Sequence, residues 1–254
     1  MTVTPTLFQT DLFRPAYRPW RGDRWEILLA PMALCKGYWS DTMLVTDMAG
    51  LIRHDDDKPR TWMSITPMEI ESQEIGCRSA TGHTLVMGMG MGWAVANTAL
   101  RAEVTRVTVV EFDAEVIAVN AAMDVLGQLP PDAAAKVTVI QGDALSYVPD
   151  EPVDLLMPDI WQPLYGDGRL EQVRRMWANT GAARVYYWGQ ELDIAQRARR
   201  LGLPLDGPTV ARIVEETGLP LVGPAEIPNY PDLIERAARN WLRTDWTPPG
   251  YAAD

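Results

Sequence analysis

The chain has 254 residues, 47% of them apolar, and a formal net charge of −11. This length fits one large domain or a core with an appendage, and the acidic balance argues against a nucleic-acid backbone as partner. No run of about 18 apolar residues occurs, so no membrane-spanning helix is expected.

The small residue counts exclude more. Two histidines, His54 and His83, cannot build a multi-histidine metal site, and Cys35 and Cys77 have no metal or disulfide spacing. They are read as reduced thiols of a cytoplasmic protein, and no metal is expected. Asp55-Asp56-Asp57 beside His54 reads as a turn between strands. Asp11, Arg14, Arg18, Arg21, Asp23, Arg24 and Glu26 leave no room for the apolar stretch of a signal peptide. The dense basic spots, Arg174-Arg175 and Arg197-Ala198-Arg199-Arg200, read as solvated helix faces.

Residues 1–20 show no clear period. Residues 24–64 read as short strands, Arg24–Ala30, Asp41–Thr46, Leu51–His54 and Arg60–Ile65. Breaks fall at Gly37, at Met48-Ala49-Gly50 and at His54–Pro59, which gives a small antiparallel sheet. Thr66-Pro67-Met68-Glu69 reads as a helix start, with Thr66 as N-cap, Pro67 in the first turn and Glu69 completing a capping box. That helix runs to Gly76–Ser79.

Strands and helices then alternate. Strands are predicted at His83–Met87, Arg106–Asp113, Lys136–Asp143, Val153–Asp159 and Ala183–Gly189. Helices are predicted at Trp93–Glu103, Ala114–Leu126, Arg169–Thr180 and Asp193–Leu201. Apolar strands alternating with helices imply a doubly wound, mainly parallel sheet covered on both faces. Two further helices, Pro208–Thr217 and Pro231–Leu242, follow among prolines, with Leu219–Val222 as one short candidate strand. The chain therefore divides into an N-terminal β-rich region with its linking helix (1–80), a nucleoside-binding α/β core (81–203) and a helical C-terminal segment (204–254).

Ligands of open α/β sheets bind outside the carboxyl ends of the strands. The first core strand ends in Gly88-Met89-Gly90-Met91-Gly92, a turn where the backbone takes unusual angles or approaches a neighbour closely. Such a turn serves a dinucleotide, a phosphate or close helix–strand packing. The dinucleotide fingerprint needs a small residue at the sixth position, where Trp93 or Val95 stands, so hydride transfer loses support. No Gly-Lys-Ser/Thr occurs.

The next strands end in Glu111-Phe112-Asp113, Gly142-Asp143-Ala144 and Asp159-Ile160-Trp161. Glu111 can accept two hydrogen bonds from a ribose diol, and an acid at the end of an apolar strand is otherwise costly. Asp143 can accept from an adenine amine, with the Ala144 N–H beside it. Phe112 or Ile140 can pack on the purine, and Asp159 lies nearer the reacting centre. The competing role for Asp143 and Asp159 is capping of the following turn. Trp161 either stacks on substrate or closes the core. Met87, Met89 and Met91 fill core gaps or surround a sulfonium. Gln162, Tyr165 and Glu191 are further pocket candidates.

The order G-x-G-x-G, Glu111, Gly142-Asp143-Ala144, Asp159 resembles the class I S-adenosylmethionine-dependent methyltransferase fold. Within it, the chain is most similar to the spermidine-synthase-like branch. Val107–Val116 looks like that branch's Val-x-x-Val-Glu-x-Asp-x-x-Val segment, Val139–Ala144 like its third-strand motif, and Val153–Asp159 like its fourth strand. Tyr187–Glu191 echoes its fifth-strand end. The resemblance covers about residues 40–195 and places Asp159 on the family's reactive-centre aspartate. Three departures stand out. Met91 and Gln162 replace aspartates that hold ammonium groups in spermidine synthases, and Val86 stands where methyltransferases usually carry an acid.

The resemblance implies S-adenosylmethionine as cofactor, held by Gly88, Gly90, Gly92, Glu111, Phe112, Gly142, Asp143, Ala144 and Asp159. It implies group transfer, methyl first, to a small-molecule acceptor seated by Trp161, Gln162, Tyr165 and Glu191, with Asp159 catalytic. A homodimer is left open. One alternative is an aminopropyl or aminocarboxypropyl transferase, for which Asp154, Glu191 or Glu69 would have to supply the missing acids. Another is a non-catalytic adenosyl-ligand binding protein.

Overall fold

A computed structural model of the chain describes residues 6–54, 58–224 and 226–242; the turn expected at Asp55-Asp56-Asp57 lies outside the described residues. The N-terminal part is an antiparallel sheet of β1 (Trp20–Arg21), β2 (Trp25–Lys36), β3 (Thr42–His54) and β4 (Pro59–Ser64), in that order. The break expected at Met48-Ala49-Gly50 does not occur, because β2 supplies a continuous ladder that pairs Leu29 with Ala49 and Leu28 with Gly50. The irregular backbone falls instead at Asp47, whose φ is +52°.

Helix α1 (Pro67–Ser79) starts as expected at Pro67, but the capping box is not formed. The Thr66 hydroxyl lies against Ser64 Oγ at 3.3 Å and caps nothing. Glu69 turns inward and is buried. An acid placed by its spacing for a helix end has been drawn into the interior by the docking of this helix.

The core sheet follows: β5 (Gly82–Met87), α2 (Trp93–Ala99), β6 (Val104–Glu111), α3 (Ala114–Met123), α4 (Pro131–Ala134), β7 (Val137–Gln141), β8 (Leu155–Pro158), α5 (Arg169–Thr180) and β9 (Arg184–Val185). Its five strands are all parallel, in the order β7-β6-β5-β8-β9. Alternate strand residues feed two apolar clusters. Val86, Val107, Val109, Leu155 and Met157 point to one, with α2 and α3. Leu85, Met87, Val110 and Leu156 point to the other, with Val173 and Met176 of α5. The period of two along each strand thus produces the doubly wound arrangement, both faces being apolar and both covered. Sequence order reverses between β5 and β8, where such sheets open a crevice at their carboxyl ends.

Several boundaries differ from the sequence reading: α2 ends at Ala99 rather than Glu103, α3 at Met123 rather than Leu126, and β8 is shorter at both ends. The last strand keeps only two ladder residues, although the Tyr186 and Trp188 amides still donate to Leu156 and Pro158 carbonyls at 3.0 Å. Helix α6 (Gln190–Arg200) begins three residues earlier than expected, behind Gly189 at φ +83°, and so carries Glu191 into its first turn. Leu219–Val222 contributes a single bridge, Leu221 to Val185. Helices α7 (Gly207–Thr217) and α8 (Tyr230–Trp241) complete the chain. Among the described residues no helix is long and apolar enough to cross a membrane.

A buried polar knot joins the parts. Glu191 has no exposed surface and accepts hydrogen bonds from Tyr38 (3.1 Å), Tyr186 (3.0 Å) and Tyr230 (2.9 Å). These hydroxyls come from the turn after β2, the segment after β9 and the start of α8. Gln190 Nε2 donates to Tyr230 Oη and to the Val222 carbonyl, each at 2.7 Å. Burial raises the carboxyl above its usual range, and the three donors oppose that shift. A buried group that loses a partner costs about 1–3 kcal/mol. Tyr230→Phe should lower the unfolding free energy in urea by that amount, and a change within error would show that the knot does not hold α8.

Candidate active site

The carboxyl ends of β5, β6, β7 and β8 open into one cleft of about 1060 Å³. Its floor is formed by the strand tips and the turns that follow them. Gly88, at φ +95°, passes so close to the backbone of Asp159 that a Cβ there would overlap the Asp159 carbonyl oxygen. The Asp159 amide in turn donates to the Met87 carbonyl at 2.8 Å. Only glycine fits this crossing of two strand ends.

Glu111 ends β6 and lines the cleft. Its Oε2 accepts the Met89 amide at 2.7 Å and its Oε1 accepts the Asp113 amide at 2.8 Å. The carboxylate is therefore held in one orientation between the glycine turn and the start of α3. Phe112 stands next to it on the rim with 76% of its surface exposed. Asp143 and its neighbours Gly142 and Ala144 line the adjacent wall. Asp143 Oδ1 also accepts the Leu145 amide at 2.9 Å, so the capping role and the cleft position coexist. Trp161 lines the far side, its Nε1 donating to Gln172 Oε1 and its ring lying 4.9 Å from the Arg169 guanidinium.

Asp159 follows β8 and lines the same cleft, half-buried. Its Oδ2 accepts Gln73 Nε2 at 2.7 Å, and the same nitrogen reaches Glu69 Oε1 at 3.3 Å. Two carboxyls thus share one amide. Burial, opposed by the neighbouring Arg169 charge and the Gln73 donor, pushes Asp159 up to about 7. Burial and the charge of Asp159 push Glu69 well above the usual carboxylate range.

Four expected pocket residues lie outside the cleft lining. Gly92, at φ +76°, is the N-cap of α2 and packs against Asn120 and Val125. Gln162 is exposed and donates to the carbonyls of Thr61 and Trp62, holding β4 from behind. Tyr165 packs partly buried against the larger apolar cluster. Glu191 sits under its three tyrosines. The methionines of the glycine turn, Met87, Met89 and Met91, are core residues.

Their places are taken by other residues, of which the sequence reading names only Glu69, as a substitute acid for the alternative transferase. Trp25, Arg53, Trp62 and Met63 reach in from the N-terminal sheet, Glu69 from α1, and Trp188 from the segment after β9. Met63 Sδ accepts the Met91 amide at 3.1 Å, so β4 rests on the glycine turn. Trp25 Nε1 donates to Asp113 Oδ2 at 2.9 Å, and Arg24 reaches the same oxygen at 2.7 Å. The Trp25 and Trp62 rings meet edge to face at 5.5 Å, with the Arg53 guanidinium over both. Five of the aromatic residues thus line one cleft, which their scatter along the chain does not reveal. Among the described residues no group of three or more His, Cys, Asp or Glu is arranged to hold a metal ion.

No protein-family model matches the chain, and no curated protein sequence does. Three solved structures illustrate what the fold is similar to. A glycopeptide N-methyltransferase, MtfA, with S-adenosyl-L-homocysteine is 22% identical over 43% of this chain and 41% of its own, with a TM-score of 0.34. The DhpI-SAM-HEP complex is 18% identical over 48% and 56%, with a TM-score of 0.36. A SAM-dependent methyltransferase from Geobacter sulfurreducens with S-adenosyl-L-homocysteine is 21% identical over 47% and 46%, with a TM-score of 0.35. The matched part spans about half the length of each of these proteins. All three TM-scores are below 0.5, so the functional reading rests on the cleft itself.

The raised Asp159 has a consequence for stability. The folded carboxyl holds its proton up to pH about 7, whereas the unfolded one loses it near its ordinary value of 3.8. The contribution is complete below about pH 4 and declines as pH rises to about 7. Asp159→Asn removes the cost of charging this site. In urea titrations it should be more stable than the wild type by ~1–2 kcal/mol at pH 8, allowing for water in the open cleft. At pH 4 the two should coincide, and equal stability at both pH values would show that Asp159 titrates normally.

Proposed function

We propose that the chain is an S-adenosylmethionine-dependent transferase acting on a small molecule, with methyl as the transferred group. The observation that carries this reading is the convergence of Glu111, Phe112 and Asp143 from neighbouring strand tips on one cleft beside the glycine turn. These residues fit an adenosine. Glu111 is oriented by two backbone amides, and each of its oxygens keeps further accepting capacity for a ribose diol. Phe112 exposes a large apolar ring that a purine would cover. Asp143 offers an acceptor to an exocyclic amine. The cleft volume lies at the top of the ~300–1,000 Å³ range of small-molecule sites, enough for a nucleoside and a second ligand.

When bound, S-adenosylmethionine supplies an electrophilic methyl carbon on a sulfonium. This chain's residues position and exclude. Glu111, Asp143 and Phe112 would hold the adenosine. Trp25 and Trp62 would cover the crevice and keep water out, and Trp161 would shape the acceptor side. Positioning of this kind can supply about 7–11 kcal/mol of a barrier. Asp159, with its carboxyl near neutrality, is suited to take a proton from the acceptor or to orient it.

One observation favours a second reading, an amine-handling transferase of the spermidine-synthase-like kind. Of the three acids able to replace the missing aspartates, Asp154 is turned away to the His83 amide at 2.8 Å, and Glu191 is closed under tyrosines. Glu69 alone joins Asp159 in the cleft. Turnover with S-adenosylmethionine against its decarboxylated form separates the two readings.

Calorimetry with S-adenosylmethionine, S-adenosylhomocysteine, the decarboxylated donor and NAD tests the common basis. A ligand at 100 times its Kd stabilises the fold by about 2.7 kcal/mol. Glu111→Ala and Asp143→Ala, checked for folding by circular dichroism, should each weaken the nucleoside tenfold or more. Unchanged affinity in both would overturn the assignment.

A further inference from the structure

We propose that the free edge of β2 is a homotypic interface, at which two copies of this chain pair their β2 strands antiparallel about a two-fold axis and join their N-terminal sheets into one. The interface is independent of what the cleft binds.

The edge is long and open. β1 pairs with β2 only at Glu26 and Ile27, and β2 runs on to Lys36 with no described residue continuing the ladder on that side. The partner strand shows which backbone groups face outward. The Leu44 amide donates to the Thr6 carbonyl at 2.9 Å, and the Leu44 carbonyl accepts the Phe8 amide at 2.8 Å, so both groups point away from β2. Leu34, the ladder partner of Leu44, therefore stands in a non-hydrogen-bonded pair and turns its own N–H and C=O to the open side. The Thr46 carbonyl likewise turns away, to Arg14 at 2.9 Å, and its ladder partner Met32 presents a second outward pair. Outward N–H and C=O groups at this spacing are a template for another strand. Pro31 lies opposite Asp47, where the ladder is interrupted, and leaves the stretch from Met32 onward unblocked. The Lys36 ammonium is held at the Asn240 carbonyl at 2.6 Å and does not cover the edge.

The side chains fit the same partner. Among the described residues nine large apolar side chains are exposed, and five of them, Leu7, Leu28, Leu29, Met32 and Leu34, belong to β2 and the segment beside β3. Leu34, Leu44 and Leu7 stand in one row across the sheet, and Met32 shares the face of Leu34. Met32 and Leu34 keep 60% and 63% of their surface. Scattered exposed leucines are ordinary, whereas a contiguous group along an open edge marks an interaction surface.

Charge selects the occupant. The chain carries a net charge of −11, so two copies repel over most of their surface. Residues 28–35 hold no charged side chain, and opposite charges, Glu26 and Lys36, flank them. Antiparallel pairing of this strand with itself sets the Lys36 end of one copy beside the Glu26 end of the other. A two-fold axis also brings the apolar row onto itself, satisfies both edges in a single contact and closes the assembly at two chains.

The test is analytical ultracentrifugation of the full chain over a hundredfold range of concentration. The wild type should sediment at twice the chain mass. Leu34→Pro removes one outward N–H from an edge strand, where proline is tolerated, and Met32→Lys puts a charge into the apolar row. Each, checked for folding by circular dichroism, should weaken the dimer at least tenfold. Val148→Lys, at an exposed apolar residue outside the patch, should leave the mass unchanged. A wild type that stays monomeric overturns the proposal, and so does a dimer that persists in folded Leu34→Pro. Should Leu34→Pro not fold, Met32→Lys combined with Leu34→Lys, which alters exposed side chains only, takes its place, and a dimer that persists there overturns the interface equally.

Discussion

The crossing of two strand ends holds this cleft in shape. Gly88 and Asp159 follow β5 and β8, the pair at which the sheet reverses its order, and they touch backbone to backbone. The Met87 carbonyl takes the Asp159 amide, and the Gly88 amide goes to Val110 on the other side. Three strand tips are thereby tied at one level. Every side chain that leaves those tips, Glu111 and Asp159 among them, starts from a fixed point. A parallel sheet with both faces buried has little freedom to slide, so the precision of the site derives from the core beneath it.

The N-terminal sheet gives this floor a roof. Its apolar face joins the larger core cluster, and its polar contacts include Met63 on the Met91 amide, Trp25 and Arg24 on Asp113, and the Gln162 amide on the carbonyls of Thr61 and Trp62. Because β4 rests on the glycine turn, the methionines of that turn face the core and the tryptophans of the sheet face the cleft. The antiparallel sheet thus contributes the aromatic surface and the parallel sheet the carboxylates. Helix α1, which joins the two sheets, contributes Glu69.

Electrostatics separates the acids of this chain into groups with different roles. Glu111 is anchored by two amides and fits the role of an oriented acceptor. Glu191 is enclosed by hydroxyls and ties the C-terminal helices to the core. Asp159 and Glu69 share a single amide and are displaced upward by burial, Asp159 also by the charge of Glu111 and Glu69 by that of Asp159.

Much of this was legible in the amino-acid order. Apolar runs of strand length alternating with helical segments dictate a doubly wound sheet, and glycines or acids just past those runs fall at its carboxyl edge by necessity. Glu111, Asp143 and Asp159 could therefore be placed in one crevice from spacing alone. Long-range docking decided the rest. Gln162, Tyr165 and Glu191 are close in sequence to strand ends, yet they face elsewhere, because the direction of a side chain beyond the last ladder pair depends on turns such as Gly189. Trp25, Trp62 and Met63 carry no local mark of their role, since a strand residue shows its period but not the surface on which its sheet will settle. Glu69 even carries a misleading mark, that of a capping box. Its meeting with Asp159, ninety positions away, exists only because α1 packs across the tip of β8. Local periodicity specifies which elements form; which side chains face each other is set by how those elements pack.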